Sequence, residues 1–103
     1  MAKSKNKLPL IPPGEILAEE FMKPHGLSQN RLARDLDISP ARVHDIVHGK
    51  SAITANIALR LAKYFRTTPG FWLNLQSDHD LRKAQREIGA EIETRVRTLA
   101  AAE

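Results

Sequence analysis

Residues 28–48 read SQNRLARDLDISPARVHDIVH, and this stretch decides the fold. It holds two short runs of apolar residues at helical spacing, which are separated only by Asp37 and Ile38. Each run follows a serine, Ser28 or Ser39, and serine is a residue type that caps helix N-termini. Pro40 stands at the first position of the second run, where proline favours the start of a helix. The pattern predicts two short helices joined by a tight turn.

The spacing of the apolar residues in this stretch predicts how the two helices cross. Ala33 is small, which lets the second helix pass close to the first. Asp37 stands where the turn needs a positive φ; glycine is usual there, but aspartate tolerates that conformation better than most residues. The pattern resembles the helix-turn-helix of phage-repressor type, whose second helix enters the DNA major groove. Counted from Gln29, the apolar positions 4, 5, 8, 10, 15 and 18 are Leu32, Ala33, Leu36, Ile38, Val43 and Ile46.

The rest of the chain also has helical patterns. A first helix is predicted from Pro13 to just before Pro24, and Thr54 and Thr68 are N-cap candidates for a fourth and a fifth helix. No segment between residues 13 and 75 alternates with period two, so no sheet is expected. We predict an all-α fold, namely a five-helix phage-repressor-like helix-turn-helix domain with an extra C-terminal helix.

Three parts are expected along the chain. Residues 1–12 are predicted to form a flexible basic arm, residues 13–80 the helix-turn-helix DNA-binding domain, and residues 81–103 the C-terminal helix. The last part is either a fraying terminal helix or an apolar seam for a second copy or another protein. Its apolar stripe consists of Leu81, Ile88, Ile92, Val96 and Leu99.

The composition is that of a folded chain and argues against several classes of protein. The length of 103 residues suits one domain, and 42% of the residues are hydrophobic. Cysteine is absent, which excludes disulfide scaffolds and cysteine-based zinc fingers. No apolar run reaches the ~18 residues of a membrane span, and the lysine-rich start lacks the apolar core of a signal peptide. We expect a cytoplasmic protein with no membrane partner and no cofactor.

The charge distribution predicts a polyanionic partner. The net charge is +4, and residues 28–70 hold seven basic but only three acidic residues. No acidic residue occurs between Ile46 and Ser77. Such a basic stretch around a helix-turn-helix favours double-stranded DNA as the partner.

The second helix of the motif supplies most of the candidate DNA contacts. Val43, Ile46 and Val47 are predicted to share its buried arc, so the opposite arc is expected to meet the base edges. Arg42 is the best candidate to bind guanine with two hydrogen bonds, unless it pairs with Asp45; both interpretations stay open. Serines and first-turn amides suit phosphates, as does the lysine that follows the helix. The predicted DNA-binding residues are Ser28, Gln29, Ser39, Pro40, Ala41, Arg42, His44, Asp45, His48 and Lys50.

Longer motifs give a more specific resemblance over about residues 12–85. They are PGEIL at 13–17, ISPARV at 38–43, HGK at 48–50, IT at 53–54, ALRLA at 58–62 and FWLNLQ at 71–76. The chain resembles the HigA antitoxins, also called virulence-associated protein I, which belong to the XRE-type repressors. The resemblance implies a homodimer that binds a palindromic operator, represses its own operon and neutralises a HigB-like toxin, a ribosome-dependent mRNA endonuclease.

Two other functions are compatible with the same fold. The chain is alternatively a stand-alone XRE-type transcriptional regulator, or a protein-binding adaptor that keeps the helix-turn-helix as a scaffold. The absence of acidic residues from 46 to 77 favours DNA binding over the adaptor. Arg60 and Lys63 in this stretch are either DNA contacts or plain surface residues.

Two further features are interpreted as structural rather than functional. His44 and His48 have the i, i+4 spacing of the HExxH zinc-protease motif, but Asp45 replaces its glutamate and is one methylene shorter. His79 is the only later histidine, so we predict that the chain is not an enzyme. Trp72 is expected to anchor the fifth helix on the first and the fourth.

Overall fold

The computed structural model describes residues 9–100, and every regular element in that range is helical. Most of the predicted basic arm therefore lies outside the described residues. The all-α class is confirmed. The first helix, α1, has an α-helical turn at Pro13–Ile16 that continues as a π-helix at Leu17–Met22. The other helices are α2 (Gln29–Leu36), α3 (Pro40–Val47), α4 (Ala55–Phe65) and α5 (Pro69–Arg95).

The predicted starts of α2 to α5 are confirmed by their N-caps. In each case the capping hydroxyl accepts a hydrogen bond from the backbone N–H three residues later, which satisfies a donor that the helix leaves open. The four bonds are Arg31 to Ser28 at 3.0 Å, Arg42 to Ser39 at 3.1 Å, Ile57 to Thr54 at 3.3 Å and Phe71 to Thr68 at 3.1 Å.

The C-terminal helix is not a separate element. The fifth helix and the predicted extra helix form one continuous α5 of 27 residues, about 40 Å long. No proline or glycine interrupts the sequence around Asp80, and i, i+4 ion pairs support the helix on both sides of it. These pairs are Asp78 with Arg82 at 3.4 Å and Glu87 with Lys83 at 3.7 Å. The helix ends at Arg95, so Val96 and Leu99 of the predicted stripe lie beyond it.

The π-helical part of α1 was not predicted from the sequence. Its wider turn places Leu17 and Met22, five residues apart, in the core together. The Lys23 N–H donates to the Ala18 carbonyl at 2.9 Å, which is the five-residue hydrogen bond of a π-helix. Ile16 and Phe21 of α1 are only partly buried.

Trp72 anchors the helices as predicted. It is fully buried, and its ring lies 4.7 Å from Phe21 of α1 and 6.2 Å from Phe65 of α4, measured between centroids. The indole Nε1–H donates to the Thr67 hydroxyl at 2.7 Å, so burial leaves no polar atom of the ring unpaired.

None of the helices in the described range is both long and apolar enough to cross a membrane.

Candidate DNA-binding surface

The turn between α2 and α3 has the geometry that the sequence predicted. Asp37 has φ 61° and ψ 47°, the left-handed conformation in which a non-glycine residue is uncommon. The Ile38 N–H donates to the Ala33 carbonyl at 3.0 Å and closes the end of α2. Ala33 itself has no exposed surface, which is consistent with a close crossing of the two helices.

Arg60 of α4 holds this turn in place, a role that the sequence did not reveal. One guanidinium nitrogen donates to the Leu36 carbonyl at 2.7 Å and to the Asp37 carbonyl at 3.2 Å. The Nε–H donates to the Asn56 side chain at 2.7 Å, which orients the guanidinium along α4. The C-terminal end of a helix carries partial negative charge, so the cationic Arg60 side chain is favourable at the C-terminus of α2. Arg60 thus positions the turn just before α3.

Gly14 of α1 holds α3 at its other end. A Cβ atom on Gly14 would overlap the Ile46 carbonyl oxygen and lie 2.7 Å from the Ile46 carbonyl carbon and 3.0 Å from the Val47 Cα. Only glycine permits this approach of two backbones. Helix α3 is therefore braced by α4 near its start and by α1 near its end.

The exposed face of α3 carries the side chains that the sequence selected. Val43 and Ile46 are buried, as predicted, whereas Val47 and Asp45 are only partly buried. The alternative ion pair between Arg42 and Asp45 does not form among the described residues; the Asp45 carboxylate lies 3.7 Å from His44 instead. The Arg42 guanidinium is therefore available to a ligand. The exposed predicted residues of this helix and its ends are Ser39, Pro40, Ala41, Arg42, His44 and His48.

The two histidines of α3 stack on each other rather than face a cleft. Their ring centroids are 4.0 Å apart with an interplanar angle of 29°. The Nδ1 atom of His48 lies 2.8 Å from the His44 carbonyl, so it carries the hydrogen in that bond. Within residues 9–100, no group of three histidine, aspartate or glutamate side chains is arranged to hold a metal ion. The histidines thus form part of the exposed face of α3.

The N-termini of α2 and α3 present backbone donors near this face. In α3 the Ser39 hydroxyl takes the Arg42 N–H and Pro40 has no N–H, which leaves the Ala41 N–H as the open first-turn donor. In α2 the Ser28 hydroxyl takes the Arg31 N–H, and the N–H groups of Gln29 and Asn30 stay open by the same reasoning. Both serine hydroxyls retain a hydrogen to donate. Such groups suit an anion at a helix N-terminus.

Lys50 lies just beyond α3 in a loop that folds back onto the helix. Gly49 has φ 75° and ends the helix, as its position in the sequence predicted. The N–H groups of Lys50 and Ser51 both donate to the Asp45 carbonyl, at 2.8 and 3.1 Å. The Lys50 side chain is exposed at the end of α3.

A carboxylate on α2 offsets part of the positive charge nearby. Asp35 accepts a hydrogen bond from the Tyr64 hydroxyl at 2.7 Å and lies 3.5 Å from the Arg31 Nε. The hydrogen bond from Tyr64 lowers the pKa of Asp35, and the charges of Arg31 and Arg34 lower it further. The same hydrogen bond raises the pKa of Tyr64. This network joins α2 to α4.

Comparison with known proteins identifies the family. The helix-turn-helix family matches residues 19–72, more than half of the chain. The chain is 48% identical to virulence-associated protein I of Dichelobacter nodosus over 83 residues. This match covers 81% of this chain and 77% of that protein. The solved structure of the Pseudomonas aeruginosa antitoxin HigA with the higBA promoter is 41% identical, with a TM-score of 0.85, over 89% of this chain and 100% of that one. The chain belongs to the HigA family of helix-turn-helix proteins.

A second solved structure, also of an antitoxin, is similarly close. Antitoxin GraA in complex with its operator is 45% identical and has a TM-score of 0.85, over 93% of this chain and 97% of that one. The similarity extends over nearly the whole of this chain, so it includes much of α5 as well as the helix-turn-helix.

Proposed function

We propose that this HigA-family chain is the DNA-binding antitoxin of a type II toxin–antitoxin pair, acting in the cytoplasm. It represses its own operon and neutralises a HigB-like mRNA endonuclease. The observation that carries the proposal is the exposed face of α3, on which the Arg42 guanidinium has no partner among the described residues. The relatives solved with a promoter and with an operator support DNA as the ligand of this face.

Each group of the surface has a defined role in this proposal. Arg42 binds the O6 and N7 atoms of a guanine in the major groove. Pro40 has no N–H to donate, and the Ala41 side chain can contact only a thymine methyl group. Lys50 and the open amides at the starts of α2 and α3 bind phosphates, which fixes the register of the protein on the duplex. His44 and His48 face the same groove.

We propose further that the chain acts as a symmetric dimer. One eight-residue recognition helix contacts too few base pairs for specificity, whereas two copies placed about 34 Å apart contact successive major grooves of a palindromic operator. The distal half of α5 supports self-association because Leu81, Ile88 and Ile92 are 58%, 45% and 46% exposed. Sedimentation at micromolar concentration is expected to give a dimer; a monomer that still binds the operator as a single copy would contradict this.

Fluorescence anisotropy with the DNA upstream of the chain's own gene tests the proposed DNA contacts. Arg42→Ala is expected to cost ~1–3 kcal/mol on this DNA and to change affinity for random DNA little, because it removes a base contact. Lys50→Ala is expected to weaken binding to both DNAs and to lower the salt slope by about one, because it removes a phosphate contact. Arg95→Ala, which removes one charge at the far end of α5, is the matched control and should leave the affinity nearly unchanged.

Equal losses on both DNAs for Arg42→Ala would show that Arg42 binds a phosphate rather than a base. Absence of specific binding by the wild-type protein would favour the adaptor function, whereas unchanged specific binding by both variants would show that other residues contact the DNA. Co-expression with the product of the neighbouring gene separates an antitoxin from a stand-alone regulator, because only an antitoxin restores growth in the presence of the toxin.

A further inference from the structure

A hydrogen bond between distant parts of the chain ties the loop after α3 to α5. The Ile53 N–H donates to the Gln76 side-chain oxygen at 2.7 Å, across 23 residues of sequence. Ile53 is 2% exposed, so its N–H has little access to water if this acceptor is lost. The Gln76 amide nitrogen in turn donates to Asp80 at 3.0 Å. With one partner for each end of the amide, the Gln76 side chain is held in a single orientation.

Packing holds this loop at Ile53, whose side chain lies in the hydrophobic core. Residues 50–52 instead line a pocket of about 190 Å³ together with side chains of α5, among them Gln76, Asp80 and Lys83. Close-packed neighbours would otherwise determine where a backbone segment lies. Between Lys50 and Ala52 the loop borders this pocket, so its hydrogen bonds contribute to its position there.

The same loop controls the end of the recognition helix. The Lys50 and Ser51 N–H groups bind the Asp45 carbonyl, and the Gly49 N–H binds the Ile46 carbonyl at 3.1 Å. The loop is therefore attached to α3 at one end and to Gln76 at the other. Release of Ile53 would let Lys50 move relative to α3.

We infer that Gln76 is a positioning residue for DNA binding, which holds Lys50 at its phosphate by fixing the Ile53 backbone. The inference rests on the phosphate contact of Lys50 proposed above. Gln76 lies on α5 and acts through the loop, so it needs no contact with DNA itself. Asp80 contributes by orienting the Gln76 amide so that the oxygen faces Ile53.

The test measures operator affinity and its salt dependence for Gln76→Leu, Lys50→Ala and the double variant. Gln76→Leu is expected to weaken operator binding roughly tenfold and to lower the salt slope by about one, as Lys50→Ala does. In the Lys50→Ala background, Gln76→Leu should lower the operator affinity by less than about threefold, because the phosphate contact that Gln76 positions is already absent. Thermal unfolding confirms that each variant is folded at the assay temperature, and slow exchange of the Ile53 amide should be lost in Gln76→Leu.

A rescue distinguishes positioning from general stability. Gln76→Glu combined with Asp80→Asn restores an acceptor for Ile53 and a donor for residue 76, so it should return the salt slope to the wild-type value. If Gln76→Leu does not fold, Asp80→Ala, which removes only the group that orients Gln76, is expected to give a smaller loss in the same direction.

Four results would overturn the inference. Multiplicative losses in the double variant, or failure of the rescue while the protein is folded, would show that Gln76 does not act through Lys50. Normal operator binding by Gln76→Leu alongside weak binding by Lys50→Ala would overturn the inference and leave the proposed function intact. Normal binding by Lys50→Ala would overturn the phosphate contact, and the inference with it.

Discussion

The substitution Gly14→Ala tests whether α1 braces the recognition helix. The new methyl group would overlap the Ile46 carbonyl oxygen and lie 2.7 Å from the carbonyl carbon. Carbon atoms in contact are normally about 3.5 Å apart, so the two backbones must separate by roughly 1 Å. The opposing atoms belong to the backbone of α3, so no side chain can rotate away to make room.

The free energy of unfolding is expected to fall by about 2 kcal/mol. Overpacking typically destabilises a protein by 1–3 kcal/mol, and a clash with backbone places the cost of Gly14→Ala at ~3 kcal/mol. The higher helix propensity of alanine returns about 1 kcal/mol of this loss. For a domain of this size, a net change of ~2 kcal/mol lowers the Tm by roughly 8–16 °C.

Thermal unfolding and operator binding are the two measurements for this variant. Operator affinity should fall even where the variant is fully folded, because α3 is displaced relative to α2. Gly89→Ala is the control for the same chemical change, since its new Cβ meets only the Gln85 side chain at 4.0 Å. That variant should keep or raise the Tm. An unchanged Tm and affinity for Gly14→Ala would refute the idea that α1 fixes the position of α3.

Two further predictions concern the contacts between α2 and α4. Arg60→Ala should destabilise the fold by about 2 kcal/mol in thermal unfolding, because two carbonyls at the turn lose a charged donor; Arg60→Lys should cost less. The salt slope of operator binding by Arg60→Ala should match that of the wild type, and a slope lower by about one would instead indicate that Arg60 contacts a phosphate. Tyr64→Phe should lower the Tm at pH 7 because it removes the hydrogen bond to Asp35. The difference in Tm between the wild type and Tyr64→Phe should shrink on both sides of neutral pH. This difference is lost as the pH falls through the lowered pKa of Asp35 and as the pH rises through the raised pKa of Tyr64. A constant difference between the two proteins across that range would contradict the assignment.

Local rules made the helix-turn-helix predictable from the sequence. An N-cap such as Ser39 acts on an N–H only three residues away, and the left-handed turn at Asp37 depends on a single residue's conformational tolerance. The burial of Leu32, Val43 and Ile46 follows from helical periodicity. The helix-turn-helix pattern and the basic stretch favoured DNA as the ligand, whereas the toxin came only from the resemblance of longer motifs to the HigA family. The individual DNA contacts and the domain boundaries stay predictions.

Tertiary structure alone decided how the recognition helix is held. Gly14 meets Ile46 across 32 positions, Arg60 reaches Leu36 across 24, and Gln76 binds Ile53 across 23. Nothing in the sequence pattern pairs such residues, because contacts of this range depend on how whole helices pack. The continuity of α5 through Asp80, by contrast, is a local feature that was not predicted: the apolar stripe changes there, but no residue breaks the helix. The sequence determines which segments are helical and where they start; their packing determines which surface is braced and presented to a ligand.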